Sequence, residues 1–544
     1  MAGMTGGQAI VEMLRRHGVD TVFALPGVQN DALFEALYDA RNSIRIIHTR
    51  HEQGAAYMAY GYAKASGRVG TYAVVPGPGL LNTTAALSTA YAGNAPVLCI
   101  TGQIPLAMIG RGLGFLHEIP DQLGIMQRLT KWAARVEHPA AAPQLLNEAF
   151  RQLGSGRRRP VALEVPMDVL AQRAEVDLAD PVPPPPEPEI SPEQAKDAAG
   201  LLAKAKRPLL IIGGGAMDAG AEVIRIAERL QAPVILSYSG GKGAVDERHP
   251  LVVNNPTGHR LWADADTVLA VGTRLQAQHV SWGVDDALEI VRVDIDPAEI
   301  NRVRRPKMGI VADARPALAA IDAALAAIVT SRPSRAREIA AAAETAATEI
   351  AKLSPQVEFA AAIRAALPED GIYIDELTQV SYVARVTLPV YRPRTFIDSG
   401  YQGTLGYGFP TALGAKVACP DKPVVSVSGD GGFMYAAPEL ATAVRNGIGV
   451  IAIVFTDDAY GNVRRTQRED YDGKIIASEL TNPDFAALAE VFGAKGVRAT
   501  TPAELKTAIS AAIKHPGPTV IAVPVGEMPN PWKIVYRGRV RPKG

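Results

Sequence analysis

The fold of this chain is decided by the stretch VVSVSGDGG at residues 424–432, where an apolar run ends at an acidic residue between glycines. A second apolar run at 450–455 ends in the polar segment TDDAYGN at 456–462. Both runs have the composition of buried strands, and an open parallel α/β sheet binds its ligands at the carboxyl ends of its strands. Asp430 and Asp457 are therefore predicted to meet at one sheet edge, beside glycines that let the backbone approach a phosphate. This pattern fits a divalent cation and a diphosphate.

Length and composition are those of a large globular protein. The 544 residues suggest roughly three or four domains, and 47% of them are hydrophobic. Lys+Arg and Asp+Glu both number 56, so nothing points to nucleic acid or an anionic membrane as a partner. The two cysteines, Cys99 and Cys419, suit a reducing compartment, and the N-terminus lacks the layout of a secretory signal. We expect a cytoplasmic protein.

Alternating apolar runs and helical patterns divide the chain into three α/β units. We predict three doubly wound parallel-sheet domains, at residues 1–178, 190–330 and 355–544. The proline-rich segment 180–189 is expected to be an extended connector, and the Ala- and Glu-rich stretch 334–352 a linking helix. The glycine triplet 213–215 could approach a nucleotide phosphate, but a plain strand-to-helix turn is favoured because no full Gly-x-Gly-x-x-Gly is present.

The two aspartates, one predicted helix and one strand apart, resemble the metal and diphosphate motif of thiamine diphosphate (ThDP) enzymes. In that family Gly-Asp-Gly is followed by Asn-Asn, for which this chain has Thr456 and Asp457. Aspartate offers a metal the same oxygen position as asparagine. It also adds a negative charge to a site that holds a polyanion.

Two further motifs match the same family in the same order. The segment TRHEQGAA at 49–56 resembles the one whose glutamate, here Glu52, faces the aminopyrimidine of the cofactor. The segment GTLGYGFP at 403–410 resembles the one that bends the cofactor. The resemblance covers nearly the whole chain, is closest to the acetolactate-synthase-like branch, and implies pyrimidine-binding, central and diphosphate-binding domains in that order.

This resemblance implies a set of cofactor-binding residues: Pro26, Gly27, Glu52, Gly77, Asn82, Gly403, Leu405, Gly429, Asp430, Gly431, Gly432, Asp457, Tyr460, Gly461 and Asn462. Glu52 would share a hydrogen bond with N1′ and promote the tautomer whose 4′-nitrogen removes the C2 proton. Leu405 would be the wedge under the bent cofactor, and Gly403 would offer its carbonyl to the 4′-amino group. The alternatives are a helix N-terminal acid at Glu52 and a plain strand-to-helix turn at the glycines from 403 to 408.

The metal implied by the resemblance is Mg²⁺. Its ligands would be Asp430, Asp457 and the backbone carbonyl of Ala459, completed by diphosphate oxygens and water. Backbone N–H groups of Gly431 and Gly432 would cap the phosphates. In the family, the glutamate and the metal site of one cofactor come from two subunits, so a homodimer or homotetramer is implied.

The reaction depends on the residues above the cofactor. The resemblance implies decarboxylation of a 2-oxo acid, followed by addition of a C2 carbanion or enamine to a carbonyl acceptor. Thr466 stands where acetolactate synthases carry the tryptophan that shapes the acceptor site. The central domain is a candidate site for FAD or ADP, but segment 272–278 lacks the Asp-Asp-Arg expected of flavin-binding members, which argues against FAD.

Segments 116–122 and 129–132 are instead similar to benzaldehyde lyase, in which a histidine lies where this chain has Gln29. Gln29, His117 and Arg464 are the polar residues expected near the substrate, and Glu52, Gln29 and His117 are the predicted catalytic residues. Gln29 lies on a loop at a strand end, a favoured place for chemistry. His117 is alternatively a solvated loop histidine. Arg464 would clamp a substrate carboxylate or is an exposed helix residue.

The sequence therefore predicts a ThDP- and Mg²⁺-dependent carboligase or decarboxylase that acts on 2-oxo acids or aldehydes. One alternative is a benzaldehyde-lyase-like 2-hydroxy ketone lyase. Another is an oxalyl-CoA decarboxylase or 2-hydroxyacyl-CoA lyase, which CoA or ADP in the central domain would favour. The last is a non-catalytic regulatory homologue, against which the intact Glu52 argues.

Overall fold

Three six-stranded sheets form the framework of the computed structural model, which describes residues 2–237 and 240–542. All neighbouring strands within each sheet are parallel. Residues of the inner strands are buried on both faces because helices cover each sheet, which explains their nearly continuous apolar runs, whereas edge strands are partly exposed. This confirms the predicted fold class of three α/β domains.

The N-terminal domain contains the strands β1 (Ala2–Thr5), β2 (Thr21–Ala24), β3 (Arg45–His48), β4 (Gly70–Val74), β5 (Val97–Gln103), β6 (Trp132–Arg135), β7 (Val161–Pro166) and β8 (Arg173–Val176). The sheet order is β3-β2-β4-β5-β7-β6, and β1 pairs with β8 in a separate antiparallel ribbon. Its helices are α1 (Gly6–Arg16), α2 (Asp31–Asp39), α3 (Glu52–Ser66), α4 (Pro78–Ala92), α5 (Gln122–Leu129), α6 (Ala142–Gly154) and α7 (Met167–Ala171).

The central domain follows a connector, residues 177–191, that has neither helix nor strand. Its elements are α8 (Pro192–Lys204), β9 (Pro208–Ile212), α9 (Gly220–Leu230), β10 (Val234–Leu236), β11 (Val252–Val253), α10 (Asn255–Trp262), β12 (Thr267–Val271), β13 (Glu289–Asp294), α11 (Pro297–Ile300), β14 (Met308–Val311) and α12 (Ala314–Ala326). The strand order is β11-β10-β9-β12-β13-β14. Helix α13 (Ala336–Ile350) then confirms the predicted linking helix.

The C-terminal domain contains the strands β15 (Ile372–Asp375), β16 (Phe396–Asp398), β17 (Val424–Gly429), β18 (Ile451–Thr456), β19 (Lys495–Arg498) and β20 (Thr519–Pro524), in the order β16-β15-β17-β18-β20-β19. Its helices are α14 (Gln356–Ala366), α15 (Gln379–Thr387), α16 (Gly408–Ala418), α17 (Asp430–Met434), α18 (Leu440–Asn446), α19 (Gly461–Asp470), α20 (Phe485–Val491), α21 (Pro502–Ala512) and α22 (Trp532–Val535).

The segment after α22 lies against the central domain rather than its own sheet. Arg541 donates to the carbonyls of Trp262 and Ala265 over 2.8 and 2.7 Å and pairs with Asp285 at 2.8 Å. His259 Nε2 donates to the Gly538 carbonyl over 2.8 Å. Residues 538–541 therefore tie the last domain to the middle one.

The N-terminal and C-terminal domains pack through α3 and α16. A β-carbon at Gly61 would collide with the carbonyl of Thr411, and one at Gly414 with the carbonyl of Met58. Two glycines thus let the helix backbones touch, and the rings of Tyr57 and Tyr407 pack beside them with centroids 6.0 Å apart. This contact fixes α3, which begins at Glu52, against the segment that leads into α16.

Candidate cofactor and active site

The two predicted metal ligands lie at the same edge of the C-terminal sheet. Strands β17 and β18 are parallel neighbours, with Gly429 opposite Phe455. Asp430 is the first residue of α17, and Asp457 follows the end of β18. The sheet register thus brings the two carboxylates to the expected place.

The carboxylate of Asp430 is 2% exposed and is held by three donors. Its Oδ2 accepts from the Asp458 N–H at 2.8 Å and from Asn482 Nδ2 at 2.9 Å, while Oδ1 accepts from the Gly431 N–H at 2.8 Å. Burial raises the pKa of Asp430 despite these donors. The side chain is therefore fixed in position, and its charge is only partly compensated.

Asp457 carries a second charge close to the first. Burial and the negative charge of Asp430 raise the pKa of Asp457 to about 6. Gln379 Nε2 donates to its Oδ2 over 2.8 Å, and a β-carbon at Gly461 would collide with the same oxygen. Two neighbouring carboxylates that repel each other fit a cation placed between them.

The third implied ligand, Ala459, is buried and bridges to Glu479, so its backbone is fixed as well. The described residues contain no group of three or more His, Cys, Asp or Glu side chains that could hold a metal ion. The implied site supplies only two carboxylates and one carbonyl. The remaining ligands would therefore have to come from the diphosphate and water.

The GDGG segment has glycines at positions where there is no space for a side chain. A β-carbon at Gly431 would come within 2.6 Å of the Tyr460 ring, and one at Gly432 would collide with Glu376 Oε1. The amide oxygen of Asn462, at the start of α19, accepts from Trp532 Nε1 at 2.6 Å, so α22 holds this side chain in place.

Glu376 is a buried acid that the sequence prediction missed. It follows β15, and its carboxylate accepts from the N–H groups of Gly406 and Gly408 at 2.7 and 2.9 Å and from Ser428 Oγ at 3.0 Å. Burial raises the pKa of Glu376 to about 7. It joins the predicted cofactor-bending segment to the end of β17, and Leu405 lies half-buried directly before the first of its contacts.

Gly403 has a φ of +59°, in the left-handed region, and a β-carbon there would lie 3.3 Å from Leu377. Gly406, at φ +79°, would collide with Tyr435 if it carried a β-carbon. The predicted glycine turn before α16 is therefore required by both backbone conformation and space.

The residues implied to hold the pyrimidine, here called the pyrimidine half of the site, lie around the start of α3. Asn82 Nδ2 donates to Glu52 Oε2 over 3.0 Å, so two predicted residues are in direct contact. Gly77 has a φ of +57° and precedes α4, and a β-carbon at Gly79 would lie 3.7 Å from Glu52 Oε1. Pro26 and Gly27 follow β2, where a β-carbon at Gly27 would come within 2.6 Å of Val75.

Glu439 of the C-terminal domain holds the residues that precede Glu52. Its buried carboxylate accepts from the N–H groups of Arg50 and His51 at 3.1 and 3.0 Å, and from Thr442 Oγ1 at 2.6 Å. Burial raises the pKa of Glu439. The orientation of α3 at Glu52 therefore depends on a side chain from the diphosphate-binding half of the chain.

Gln29 and His117 are also brought together. His117 Nδ1 lies 3.0 Å from Gln29 Oε1, and Gln29 Nε2 donates to the Leu116 carbonyl over 2.9 Å. Gln29 is 3% exposed, and a β-carbon at Gly77 would collide with the His117 carbonyl. The pair thus flanks the turn at Gly77 that also approaches Glu52.

In the described part of the chain, no hydrogen bond or ion pair directly joins the implied residues of the pyrimidine half to those of the diphosphate half. One link beside them runs between α4 and the cofactor-bending segment, where Thr89 Oγ1 and Thr404 Oγ1 are 3.2 Å apart. Each half is assembled, and within the chain the two are joined by residues that flank them, such as Glu439 and Arg50, rather than by the implied residues themselves.

Arg464 is half-buried on α19, and its guanidinium makes no hydrogen bond or ion pair with the described residues. Its positive charge acts on Asp457 and lowers the pKa of that carboxyl against the larger effect of burial. The neighbouring Arg465 is 3% exposed and donates to Gln379 Oε1 at 2.9 Å. Arg465 therefore supports Asp457 through Gln379, whereas Arg464 remains available.

A cavity of about 830 Å³ opens at the carboxyl ends of the central sheet. It is lined by glycines 213–215, Gly272 and Asp294, and by Arg157 from the N-terminal domain. Arg157 pairs with Glu299 at 2.6 Å across the domain boundary. The glycine triplet enters a short 3-10 turn, Gly214–Ala216, as expected for the predicted strand-to-helix turn.

Sequence reasoning missed Glu376, Gln379, Glu439 and Asn482, which hold the predicted residues in place. Glu376 had a usable signal, because it is a carboxylate directly after a buried strand. Asn482 and Glu439 had none, since their contacts join segments far apart in sequence.

Comparisons with known proteins identify the family of the chain. Three family models match the chain: the thiamine pyrophosphate enzyme N-terminal TPP binding domain at 4–125, the central domain at 195–321 and the C-terminal TPP binding domain at 377–523. Thiamine pyrophosphate is another name for ThDP. The chain therefore belongs to the family of ThDP-dependent enzymes.

Within this family the chain lies in the acetolactate-synthase-like branch. It is 36% identical to a probable 2-ketoarginine decarboxylase of Pseudomonas aeruginosa, over 95% of this chain and 93% of the relative. It is 33% identical to an acetolactate synthase of Arthrospira platensis (98% and 96%) and to a sulfoacetaldehyde acetyltransferase of Castellaniella defragrans (96% and 93%). No helix in the described residues has both the length and the apolar character that crossing a membrane requires.

Proposed function

We propose that the chain is a ThDP- and Mg²⁺-dependent enzyme that decarboxylates a 2-oxo acid and transfers the remaining acyl unit to a proton or a carbonyl acceptor. The observation that carries this proposal is the carboxylate pair Asp430 and Asp457 beside the glycines of the GDGG segment. A polyanionic cofactor tail needs a cation there, and the pair provides oxygen ligands for one.

Each half-site has a role in this proposal. Asp430, Asp457 and the Ala459 carbonyl hold Mg²⁺, with Gly429, Gly431, Gly432, Tyr460, Gly461 and Asn462 around the diphosphate. Glu52, oriented by Asn82, holds a proton at N1′ of the aminopyrimidine, with Pro26, Gly27 and Gly77 around the ring. Gly403 and Leu405 support the bend. Bound ThDP would supply a nucleophilic carbon and stabilise the charge left by loss of CO₂.

A 2-oxo acid substrate is supported by Arg464. Its half-buried, unpaired guanidinium lies on α19, the helix that follows the implied metal ligands Asp457 and Ala459. In that position it can bind a carboxylate. The names of two relatives support the two parts of the proposal, decarboxylation of a 2-oxo acid in the probable 2-ketoarginine decarboxylase and acyl transfer in the sulfoacetaldehyde acetyltransferase. Thr466, in place of the tryptophan that shapes the acceptor site of acetolactate synthases, supports an acceptor site different from theirs.

The central test is Glu52→Gln. We expect kcat to fall by about 10²–10⁴-fold, as for loss of a general acid–base group, while ThDP affinity measured by calorimetry stays within a few-fold. Glu35→Gln, on the exposed face of α2, is the matched control. Products from a panel of 2-oxo acids and aldehydes would be identified by mass spectrometry with and without ThDP and Mg²⁺. A Glu52→Gln variant with full activity would overturn the proposal.

The cavity in the central domain supports one second candidate, a bound nucleotide such as ADP or the nucleotide part of CoA. Its glycine triplet and Arg157 suit a phosphate-bearing ligand. Native mass spectrometry of the purified protein with added ADP, CoA and FAD tests this. A bound CoA thioester would favour the acyl-CoA lyase alternative, whereas no binding of any of the three would remove it. We further infer a homo-oligomer in the cytoplasm.

A further inference from the structure

The hydrogen bonds around Gln29 determine which nitrogen of His117 carries a proton. The Leu116 carbonyl can only accept, so the amide nitrogen of Gln29 must face it, at 2.9 Å. The amide oxygen of Gln29 then faces His117 Nδ1, at 3.0 Å. Because that oxygen can only accept, Nδ1 must be the protonated nitrogen of the neutral ring.

We infer that Gln29 is a positioning residue that holds His117 as the Nδ1–H tautomer, and that His117 Nε2 is the atom that exchanges a proton with a substrate oxygen. Nε2 makes no hydrogen bond with any described residue, so its lone pair is available. When the hydroxyl group that the 2-oxo carbonyl becomes during the reaction gives up its proton, its O–H bond breaks and an N–H bond forms at Nε2, which leaves an alkoxide and an imidazolium. The reverse step returns the proton. The catalytic part of this inference rests on the proposed function.

The backbone at His117 supports a fixed role. Its φ of +67° is one that non-glycine residues rarely adopt, and its carbonyl is packed against Gly77. Gly77 N–H donates to Gln122 Oε1 at 2.9 Å, which fixes the turn from the other side. The ring is therefore held through both its side chain and its main chain, next to the turn that approaches Glu52.

The chain offers an internal control with the opposite tautomer. His17 Nε2 lies 2.7 Å from Asn147 Oδ1, and Asn147 Nδ2 donates to the Asp180 carbonyl over 3.0 Å. The same reasoning makes His17 an Nε2–H tautomer. This pair lies between α1 and α6, on other elements than the cofactor residues.

The test is ¹⁵N magic-angle-spinning NMR of the full-length protein labelled at its histidines, without added cofactor and at mildly alkaline pH. We expect an Nδ1–H signal at His117 and an Nε2–H signal at His17. The His117→Asn variant assigns the first, because asparagine tolerates the left-handed backbone and places an amide nitrogen near Nδ1. Gln29→Leu should shift His117 toward Nε2–H, whereas Asn147→Leu should change His17 alone. An Nε2–H signal at His117 in the unaltered protein would overturn the tautomer assignment.

Turnover separates this inference from the proposed function. His117→Asn should lower kcat about 100-fold or more with ThDP affinity unchanged, and Gln29→Leu should lower kcat in proportion to the lost Nδ1–H fraction. Full activity of His117→Asn would overturn the proton-transfer role while the tautomer stands. If no 2-oxo acid were converted at all, the proposed function would fail, and the NMR result would still decide the tautomer.

Discussion

Asp457 gives the proposed metal site a second carboxylate at the position where the family resemblance implies asparagine. In the metal-free protein the charges of Asp430 and Asp457 repel each other in a mostly buried setting. With Mg²⁺ bound, the same charges attract the cation. An aspartate at position 457 therefore lowers the stability of the metal-free protein and would raise the affinity of the site for Mg²⁺.

Asp457→Asn should therefore have opposite effects on the metal-free and on the Mg²⁺-bound protein. The metal-free variant should be more stable by about 1 kcal/mol, measured as a higher Tm, because the repulsion is removed. The Mg²⁺ concentration for half-maximal activity should rise roughly tenfold, because one charged ligand is lost. Asp470→Asn, at the exposed end of α19, is the matched control. A lower Tm for metal-free Asp457→Asn would contradict the argument.

Glu376 predicts a pH dependence of stability. Its pKa is raised from 4.5 to about 7 by burial, so between these values the folded chain binds one proton more than the unfolded chain. The stabilisation from this group is complete below about pH 4.5 and is lost as the pH rises through 7, at about 1.4 kcal/mol per pH unit. The Tm of the unaltered protein minus that of Glu376→Gln should thus fall from pH 5 to 7 and level off above 8. Exposed Glu344→Gln should show no such trend.

Among single residues, the sequence predicted the candidate site residues that lie at the end of a strand or at the start of a helix. Asp430, Asp457 and Glu52 each begin or follow a regular element, so a local pattern could place them. The partners that hold them, such as Asn482 and Glu439, come from distant segments with no periodicity to indicate them. Local patterns also could not predict the contact between Gln29 and His117, although the sequence indicated both residues as candidates.

The start of α3 is an element whose geometry depends on another domain. Glu439 accepts from the N–H groups of Arg50 and His51, which no intrahelical partner satisfies. In Glu439→Gln the amide group can accept through one atom only and turns a donor toward the other N–H. We expect faster hydrogen exchange in peptides covering 50–56 and a lower kcat, with ThDP affinity less affected.

Mass spectrometry of exchanged peptides measures the first effect. Glu490→Gln, exposed on α20, is the control and should leave both exchange and kcat unchanged. Unchanged exchange at 50–56 in Glu439→Gln would show that the α3–α16 packing alone fixes Glu52. The α3–α16 packing is tight at Gly61 and Gly414. Hydrogen exchange in Glu439→Gln therefore shows whether this packing or the hydrogen bonds of Glu439 fix the start of α3.

The sequence predicted the elements well where apolar runs were long and bounded by turn residues. Strands β17 and β18 and the linking helix α13 are examples. It did not predict the β1–β8 ribbon, because that pairing joins two short segments at opposite ends of the domain. Nor did it predict that residues 538–541 pack on the central domain, because these contacts depend on single groups such as the Arg541 side chain and not on a pattern.

Exposed apolar side chains surround both half-sites of the molecule. Val28 and Leu116 lie beside Gln29 and His117, with exposures of 58% and 62%. Tyr435 follows the GDGG segment, Val463 lies near the start of α19, and both are likewise exposed. Apolar surface at an incomplete site is typical of an interface, and a second copy would bring the missing half. This supports the homodimer that the family resemblance implies.

Shared sites predict complementation between two inactive variants. Glu52→Gln and Asp430→Asn should each be inactive as homodimers, because each removes one half of every site. A heterodimer purified through two different tags would contain one site with both groups intact and one with both changed. Its kcat per dimer should be about half that of the unaltered protein carrying the same two tags. A heterodimer as inactive as its parents would show that each cofactor is bound by a single chain.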